Sequence, residues 1–202
     1  ERSASDARQY VALARARAER WLPPAEGVAL WAGSLDWKLP PGSWISPLVL
    51  AMTARAELRA GLHEPALAHA AEAARLLRAR RGRPGGGAES DAHVIWQYSR
   101  ALAANGRTRE AEREAEAAYR SLCESIANLG DAGLRRAVLH APPSHAEIVA
   151  GWVTIARRRR LERARYTQHL LGGGELRESI ERLVDAGVRM NALPGEAGLR
   201  EF

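Results

Sequence analysis

The chain has 202 residues, of which 46% are hydrophobic and 27% are charged, with a formal net charge of +6. This length allows one elongated domain or two small ones with a hydrophobic core. Cys123 is the only cysteine, which excludes an intramolecular disulfide and favours a cytoplasmic location. No apolar run approaches the ~20 residues of a transmembrane helix, so we expect no membrane partner.

The N-terminal part, residues 1–45, combines a predicted helix with an unusual aromatic segment. The helix is expected to end at Pro23-Pro24, because proline interrupts helical hydrogen bonding. The segment around this point contains four tryptophans: Trp21, Trp31, Trp37 and Trp44. We expect an irregular cap that covers one end of a helical array, since tryptophans bury large apolar areas. The alternative is an aromatic groove for a peptide or small ligand, formed by Trp31 and Trp37.

Residues 46–171 show helical patterns throughout and almost no strand signals. Ser46-Pro47 provides an N-cap followed by a proline, and the helix it starts is expected to stop at Gly61. Further helices are predicted near 64–80, 90–104 and 108–129. A broken stretch then leads to a helix that begins at Ser144 and extends to about Leu171. The fold class predicted from this order is all-α, built from antiparallel helical hairpins.

Two of these hairpins repeat one pattern of glycine and small residues. Gly61 and Gly106 stand at the two turns, where glycine permits the positive φ that ends a helix. Alanines follow each glycine at the same offsets. Such small side chains allow the two helices of a hairpin to approach each other closely. The repeated packing residues are Gly61, Ala66, Ala73, Gly106, Ala111 and Ala118.

This spacing resembles the tetratricopeptide repeat (TPR), with a glycine before the turn, an alanine five residues later and a small residue seven beyond that. The resemblance covers about 46–80 and 91–125, although the two units are 45 residues apart instead of the usual ~34. It implies a short α-solenoid, with an irregular N-terminal cap and a C-terminal linker helix. Such arrays present grooves to partners.

The C-terminal part, residues 172–202, begins with three glycines and continues as an amphipathic pattern. Its apolar positions alternate in steps of four and three, which allows a homodimer through 175–193 or packing on the same bundle. It is similar to the connector between a TPR region and a GAF sensor domain in large bacterial signalling proteins. Because the chain starts at Glu1 and ends in a helical pattern, we interpret it as a segment of a longer polypeptide.

Known catalytic and metal-binding patterns are not found in the sequence. The six histidines form no H-E-x-x-H motif, and Cys123 has no second cysteine beside it. The glycine runs at 85–87 and 172–174 lack the Gly-Lys-Ser/Thr of a phosphate loop. We therefore expect no enzyme activity, no metal and no cofactor.

The densest basic run is "ARRRRLERARY", at 156–166. Arg159 and Arg163 are four residues apart and could contact phosphates or an acidic partner surface. Interleaved aromatic residues, which would suit single-stranded bases, are missing apart from Tyr166. We therefore favour a solvated or domain-facing helix over nucleic-acid binding through 157–163.

Taken together, these patterns predict a non-catalytic interaction and regulatory module of a larger bacterial signal-transduction or transcription-regulatory protein. Its expected partner is another protein or a neighbouring domain of the same chain. The alternatives are a small-ligand or peptide sensor that uses the tryptophan-rich segment, and a nucleic-acid-binding helical domain.

Overall fold

Seven α-helices lie in the part of the chain that the computed structural model describes, and no strand occurs among these residues. The described residues are Val11, Arg15, 21–35, 43, 45–80, 88–127, 129, 131–140 and 143–170. The helices are α1 (Pro24–Leu35), α2 (Ile45–Arg59), α3 (His63–Ala79), α4 (Ala88–Ala104), α5 (Thr108–Ala127), α6 (Ala132–His140) and α7 (Pro143–Arg158). Two short 3₁₀ turns follow, at Arg163–Arg165 and Gln168–Leu170. The all-α prediction is confirmed at this level.

Most helices pack against their neighbours in sequence. The most extensive contacts join α4 to α5 and α2 to α3, which form two antiparallel hairpins. Helix α4 also contacts α2 and α3, while α7 contacts α4 and α5 in a similar way. Helix α1 covers α2 at one end, and α6 packs on α7.

The turns of the two hairpins have the same backbone geometry. Gly61 and Gly106 both have a φ of +76°. In the first turn, Leu62 N–H donates to the Glu57 carbonyl at 2.9 Å, and in the second Arg107 N–H donates to the Leu102 carbonyl at 2.9 Å. This six-residue hydrogen bond around a left-handed residue is the Schellman motif, which satisfies carbonyls at a helix end.

Helix α7 ends with the same motif, although no glycine is present there. Leu161 N–H donates to the Ala156 carbonyl at 2.9 Å, and Arg160 takes the left-handed position with a φ of +53°. The prediction of one helix from Ser144 to Leu171 is therefore wrong. The helix begins at Pro143 and stops at Arg158, because Arg160 turns the chain into the 3₁₀ segment.

Two further helices occur where the sequence suggested irregular structure. The tryptophan-rich segment is helical over Pro24–Leu35, because Pro24 occupies the first helical position and Gly27 N–H donates to the Pro23 carbonyl at 3.0 Å. The stretch predicted to be broken before Ser144 contains α6. Its first turn is capped by Asp131, whose carboxylate accepts a hydrogen bond from Leu134 N–H at 2.6 Å.

The hydrophobic core is divided into two aromatic regions joined by alanine layers. Trp31 anchors the cluster between α1 and α2, with Ile45 and Met52 among its members. Tyr119 and Trp152 anchor the larger cluster among α4, α5 and α7, and their ring centroids are 6.1 Å apart. Alanine side chains fill the narrower space among α2, α3 and α4.

Several predictions from the sequence concern residues outside the described part of the chain. These are Trp37, the linker segment 172–202 and the heptad-like stripe at 175–193. Of the predicted N-terminal helix, Val11 and Arg15 are described, and both are helical.

Candidate functional site

A groove of about 450 Å³ opens between α2, α4 and α7. This volume falls in the range of ligand-binding clefts, ~300–1,000 Å³. The residues that line it are Arg55 and Arg59 from α2, Trp96 and Arg100 from α4, and Glu147 and Ala150 from α7. We refer to these six residues as the arginine groove. Three of them are cationic and one is anionic, so its lining has a positive charge.

Glu147 lies between two arginines that occupy equivalent positions of the two hairpins. Arg55 and Arg100 each stand six residues before the glycine of their turn. Arg55 Nη2 is 3.9 Å from one carboxylate oxygen of Glu147, and Arg100 Nη1 is 3.8 Å from the other. These separations are longer than the ~2.7–2.9 Å of a charge-assisted hydrogen bond. The attraction is therefore electrostatic, without direct hydrogen bonds between these atoms.

Arg59 connects the groove to the chain that precedes α1. Its Nη2 donates to the Leu22 carbonyl at 3.0 Å. The residue before this contact is Trp21, whose side chain is 78% exposed. An exposed aromatic residue therefore belongs to the segment that borders the α2 end of the groove.

Trp96 gives the groove an aromatic side, and Gly151 allows it to lie there. A Cβ atom built at Gly151 would be 2.1 Å from Cη2 of Trp96, a distance that real atoms do not adopt. Any larger residue at 151 would push the indole or α7 away. The close approach of α7 to α4 therefore depends on this glycine.

A buried polar layer adjoins the groove on α4. His93 Nε2 is 3.2 Å from Met52 Sδ, and its Nδ1 has no hydrogen-bond partner among the described residues. Burial, together with the charges of Arg55, His145 and Arg100, lowers the pKa of His93 to about 3. Gln97 is fully buried, and neither polar atom of its amide is paired within the described chain.

Trp31, one of the two predicted surface tryptophans, is 0% exposed. It packs against Ile45, Val49 and Met52 and contributes no surface to the described part of the chain. This position favours the cap hypothesis over the aromatic-groove hypothesis for this residue. The structure does not bring it together with the arginine groove, whose lining contains a different tryptophan.

The basic run at the end of α7 faces acidic residues of α5. Arg158 Nη2 is 2.6 Å from the Glu112 carboxylate, and Arg159 Nη1 is 3.7 Å from the same group. Arg165 Nη2 is 2.5 Å from Glu116. Arg163 is exposed in the 3₁₀ turn, so it does not follow Arg159 along one helix. The run is thus divided between two elements, and half of it is matched by carboxylates.

The repeated alanines lie inside the hairpins, whereas Gly61 and Gly106 lie at their exposed turns. Ala66, Ala73 and Ala118 are fully buried, and Ala111 is nearly so. They let the outer helices α3 and α5 approach α2 and α4 closely. The role of these alanines in this structure is packing, and none of them lines the groove.

Two side chains of the large core cluster, Cys123 and Tyr119, have raised pKa values. Burial raises the pKa of the Cys123 thiol to about 11, so little thiolate exists at neutral pH. Tyr119 lies beside it and its pKa is raised, chiefly by burial. Its hydroxyl contacts Nδ1 of His169 at 2.9 Å and accepts a hydrogen bond from His169 N–H at 3.1 Å. These contacts hold the last described turn against α5.

Comparison of the chain with protein-family models, with curated proteins and with solved structures gave no match. Among the described residues, no group of three or more His, Cys, Asp or Glu side chains is arranged to hold a metal ion. None of the described helices is both long enough and apolar enough to cross a bilayer.

Arg55, Arg100 and Glu147 were not predicted from the sequence as a group. A signal for the two arginines was present, because they share one position relative to Gly61 and Gly106. Glu147 gave no such signal, since its place opposite both arginines depends on how α7 packs.

Proposed function

We propose that this chain is a non-catalytic interaction module whose arginine groove receives a segment of a protein partner or of a neighbouring domain. The observation that carries the proposal is the groove itself, in which charged and aromatic side chains from α2, α4 and α7 converge. Clefts that combine an apolar wall with a few placed charges are the usual form of binding sites.

The packing pattern supports the same proposal. Helices α2, α4 and α7 end in the same backbone motif and lie side by side, while α3 and α5 form an outer layer. Stacked hairpins of this kind create extended concave surfaces in α-solenoids. We therefore also propose a short TPR-like solenoid, in which α7 and the 3₁₀ turns form a reduced third unit.

In the cell, the module would act by presenting this surface as part of a larger bacterial signalling protein. The last described turn, held by Tyr119 and His169, would fix where the chain leaves the helical array. The proposal also includes a coupling between the helical array and residues 172–202. It further includes a homodimer that forms through 175–193.

Site-specific photo-crosslinking tests the proposal directly. A photoreactive residue replaces Ala150, which is exposed in the groove, and a matched one replaces Ala68, which is exposed on the outer helix α3. In native cells, position 150 should yield a discrete crosslinked peptide that position 68 does not. Equal crosslinking at the two positions, or none at 150, would contradict the proposal.

A further inference from the structure

We propose that three buried side chains beneath the arginine groove, His93, Trp96 and Gln97, form a binding site for a neutral carboxamide. We refer to these three residues as the groove floor. A carboxamide ends the side chains of asparagine and glutamine, and it also occurs in small free amides. Where the amide belongs to a partner segment, the proposal rests on the proposed function. A free amide would bind to the same atoms independently of it.

The groove floor lies directly behind residues that line the groove. With Arg100, its members follow the i, i+3, i+4, i+7 spacing that places side chains on one face of helix α4. Trp96 and Arg100 line the groove, whereas His93 is 6% exposed and Gln97 is 0% exposed. The charge of Arg55 on α2 also acts on the His93 ring, which places this ring close to the lining. His93 and Gln97 are therefore the buried part of a stripe whose outer part is the groove.

All three side chains hold polar atoms that have no hydrogen-bond partner among the described residues. These atoms are Nδ1 of His93, Nε1 of Trp96, and both Oε1 and Nε2 of Gln97. Buried polar side-chain atoms of native proteins are nearly always paired, because an unpaired one lowers stability. Trp31 and Arg80 each have a single such atom elsewhere in the described chain. The concentration of four on one stripe of α4 indicates a site for a hydrogen-bonding ligand.

The unpaired atoms of the groove floor include both donors and acceptors. Nε1 of Trp96 only donates, and the amide of Gln97 both donates and accepts. The thioether of Met52 carries no proton, so in its 3.2 Å contact with His93 the proton belongs to Nε2 of the ring. Nδ1 of His93 is then left as an acceptor. A ligand that pairs with this floor must therefore both donate and accept, as the two ends of a carboxamide do.

The groove floor is uncharged at neutral pH. Burial is the main cause that lowers the pKa of His93 to about 3, and the side chains of Trp96 and Gln97 do not titrate. An ion placed among buried neutral groups loses its hydration without contacting an opposite charge there. A carboxylate also lacks a proton to donate to Nδ1 of His93. The floor therefore favours a neutral amide over the acid of the same size.

The first hairpin shows the same stripe without polar groups. Leu48 and Met52 stand at the positions of His93 and Gln97, and both belong to the apolar cluster around Trp31. A hairpin of this type thus folds with aliphatic and thioether side chains at these positions. Packing alone does not require an imidazole or an amide on α4. Polar residues that reduce stability in this way are typical of binding sites.

The test follows the indole N–H signal of Trp96 in ¹H–¹⁵N spectra of the 202-residue chain during titration with propanamide. Trp96→Phe identifies this signal. Propanamide should produce a saturable shift, because the indole N–H gains an acceptor. Propanoate at the same ionic strength is the matched control and should not produce one. A saturable shift of the same size with both compounds would show that the site does not distinguish an amide from an acid.

A second pair of probes identifies the source of the carboxamide. One is a short peptide with a single glutamine, and the other has norleucine in its place. If the peptide shifts the Trp96 signal only when it contains glutamine, the source is the side chain of a partner segment. If propanamide alone shifts the signal, the source is a free small amide.

Gln97→Met removes the amide and introduces the residue of the first hairpin. Without ligand, it should raise the midpoint of urea unfolding, because an unpaired buried amide is replaced by a less polar group. It should weaken propanamide binding about tenfold or more, since two neutral hydrogen bonds are lost. Ser99→Ala is the matched control on α4, where the buried Ser99 hydroxyl donates to the Ala111 carbonyl at 2.8 Å. It should lower the midpoint and leave propanamide binding unchanged.

Three further results would overturn the proposal. One is no saturable shift with propanamide, and another is a midpoint that Gln97→Met lowers as Ser99→Ala does. The third is ordered water only, found beside Gln97 in a crystal soaked with propanamide. If crosslinking from position 150 identifies a partner while propanamide does not bind, the proposed function stands and only the carboxamide site is wrong. If propanamide binds and crosslinking finds no partner, the site stands and the proposed function is wrong.

Discussion

The two hairpins, α2–α3 and α4–α5, share their turns and differ in what fills the space beside them. Each has a glycine at φ +76° and buried alanines at the same offsets. At positions that correspond across the 45-residue interval, however, Leu48 is replaced by His93, and Ala51 by Trp96. The first hairpin has small or aliphatic residues there, and the second has a histidine and an indole.

This difference distinguishes residues needed for packing within a hairpin from residues needed for packing against the rest of the molecule. The repeated positions are those that let two helices of one hairpin approach each other, and this requirement is the same in both hairpins. The positions that differ face other elements, which are not the same for each hairpin. Helix α2 packs on α1, whereas α4 packs on α7 through Trp96 and Gly151. Differences between the repeats therefore indicate where the groove and the ends of the array are formed.

The largest expected effect concerns His93, the counterpart of Leu48. Burial and the nearby charges of Arg55, Arg100 and His145 lower its pKa in the folded protein to about 3, whereas an unfolded histidine titrates near 6.5. The unfolded state thus binds one more proton between these values, and stability falls as the pH is lowered through this window. The slope approaches about 1.4 kcal/mol per pH unit, which amounts to about 2–3 kcal/mol between pH 6 and pH 4.

The variant His93→Leu introduces the residue of the first hairpin and removes this titration. Urea unfolding at several pH values measures the free energy of unfolding. As the pH is lowered, this free energy should fall less steeply for the variant than for the original chain. If the two slopes are the same, His93 is not the group that makes the second hairpin acid-sensitive.

A second prediction concerns a buried pair found in the first hairpin alone. Glu57 is nearly buried, and its carboxylate oxygens lie 2.9 and 3.0 Å from His69 Nδ1, while the second hairpin has Leu102 at the corresponding position. His69→Ala should cost about 2–3 kcal/mol, because it leaves a buried carboxylate without this partner.

The double variant Glu57→Leu/His69→Ala should recover most of that loss, since no buried charge remains. Chemical denaturation of both variants checks this cycle. A double variant that is less stable than His69→Ala alone would indicate that the pair does not account for the difference between the hairpins.

The contact between α4 and α7 gives a third prediction. Gly151→Ala should destabilise the protein by about 1–3 kcal/mol, because its Cβ would overlap Trp96. Gly33→Ala is the matched control, since nothing lies within 4 Å of a Cβ at that helical position. The control should be neutral or stabilising by up to about 1 kcal/mol. Equal melting temperatures for the two variants would contradict the role assigned to Gly151.

The smallest expected effects test whether the three helix ends are equivalent. Gly61→Ala and Gly106→Ala should each cost about 1 kcal/mol, because both place a side chain at positive φ. Arg160→Gly should have the opposite sign and stabilise by about the same amount, since it relieves the left-handed arginine. The turns are not equivalent if the two glycine variants lose different amounts of stability, or if Arg160→Gly lowers the stability.

Much of the fold could be predicted from the sequence, because helix formers and turn glycines act locally. The hairpin turns at Gly61 and Gly106 follow from residues within a few positions of each glycine. The end of α7 could not be predicted, since Arg160 adopts a left-handed conformation that its side chain does not favour. Helix α1 was missed for the opposite reason: Pro24 was interpreted as an end, although proline is also common at a helix start.

The candidate site was less predictable than the fold. Trp31 and Arg159 were selected for composition and charge density, yet one is buried in the core and the other faces Glu112. The groove residues are separated by almost a hundred positions, and only the stacking of α2, α4 and α7 brings them together. A repeat alignment can identify Arg55 and Arg100, whereas Glu147 requires the tertiary structure.

The most direct test of the whole account is the comparison of crosslinks from positions 150 and 68 in native cells. If the arginine groove binds a partner, one defined partner peptide should be crosslinked at Ala150 and none at Ala68, and Arg100→Gln should reduce the yield at 150. A yield that does not differ between the two positions, or that is unaffected by Arg100→Gln, would contradict a binding role for the arginine groove.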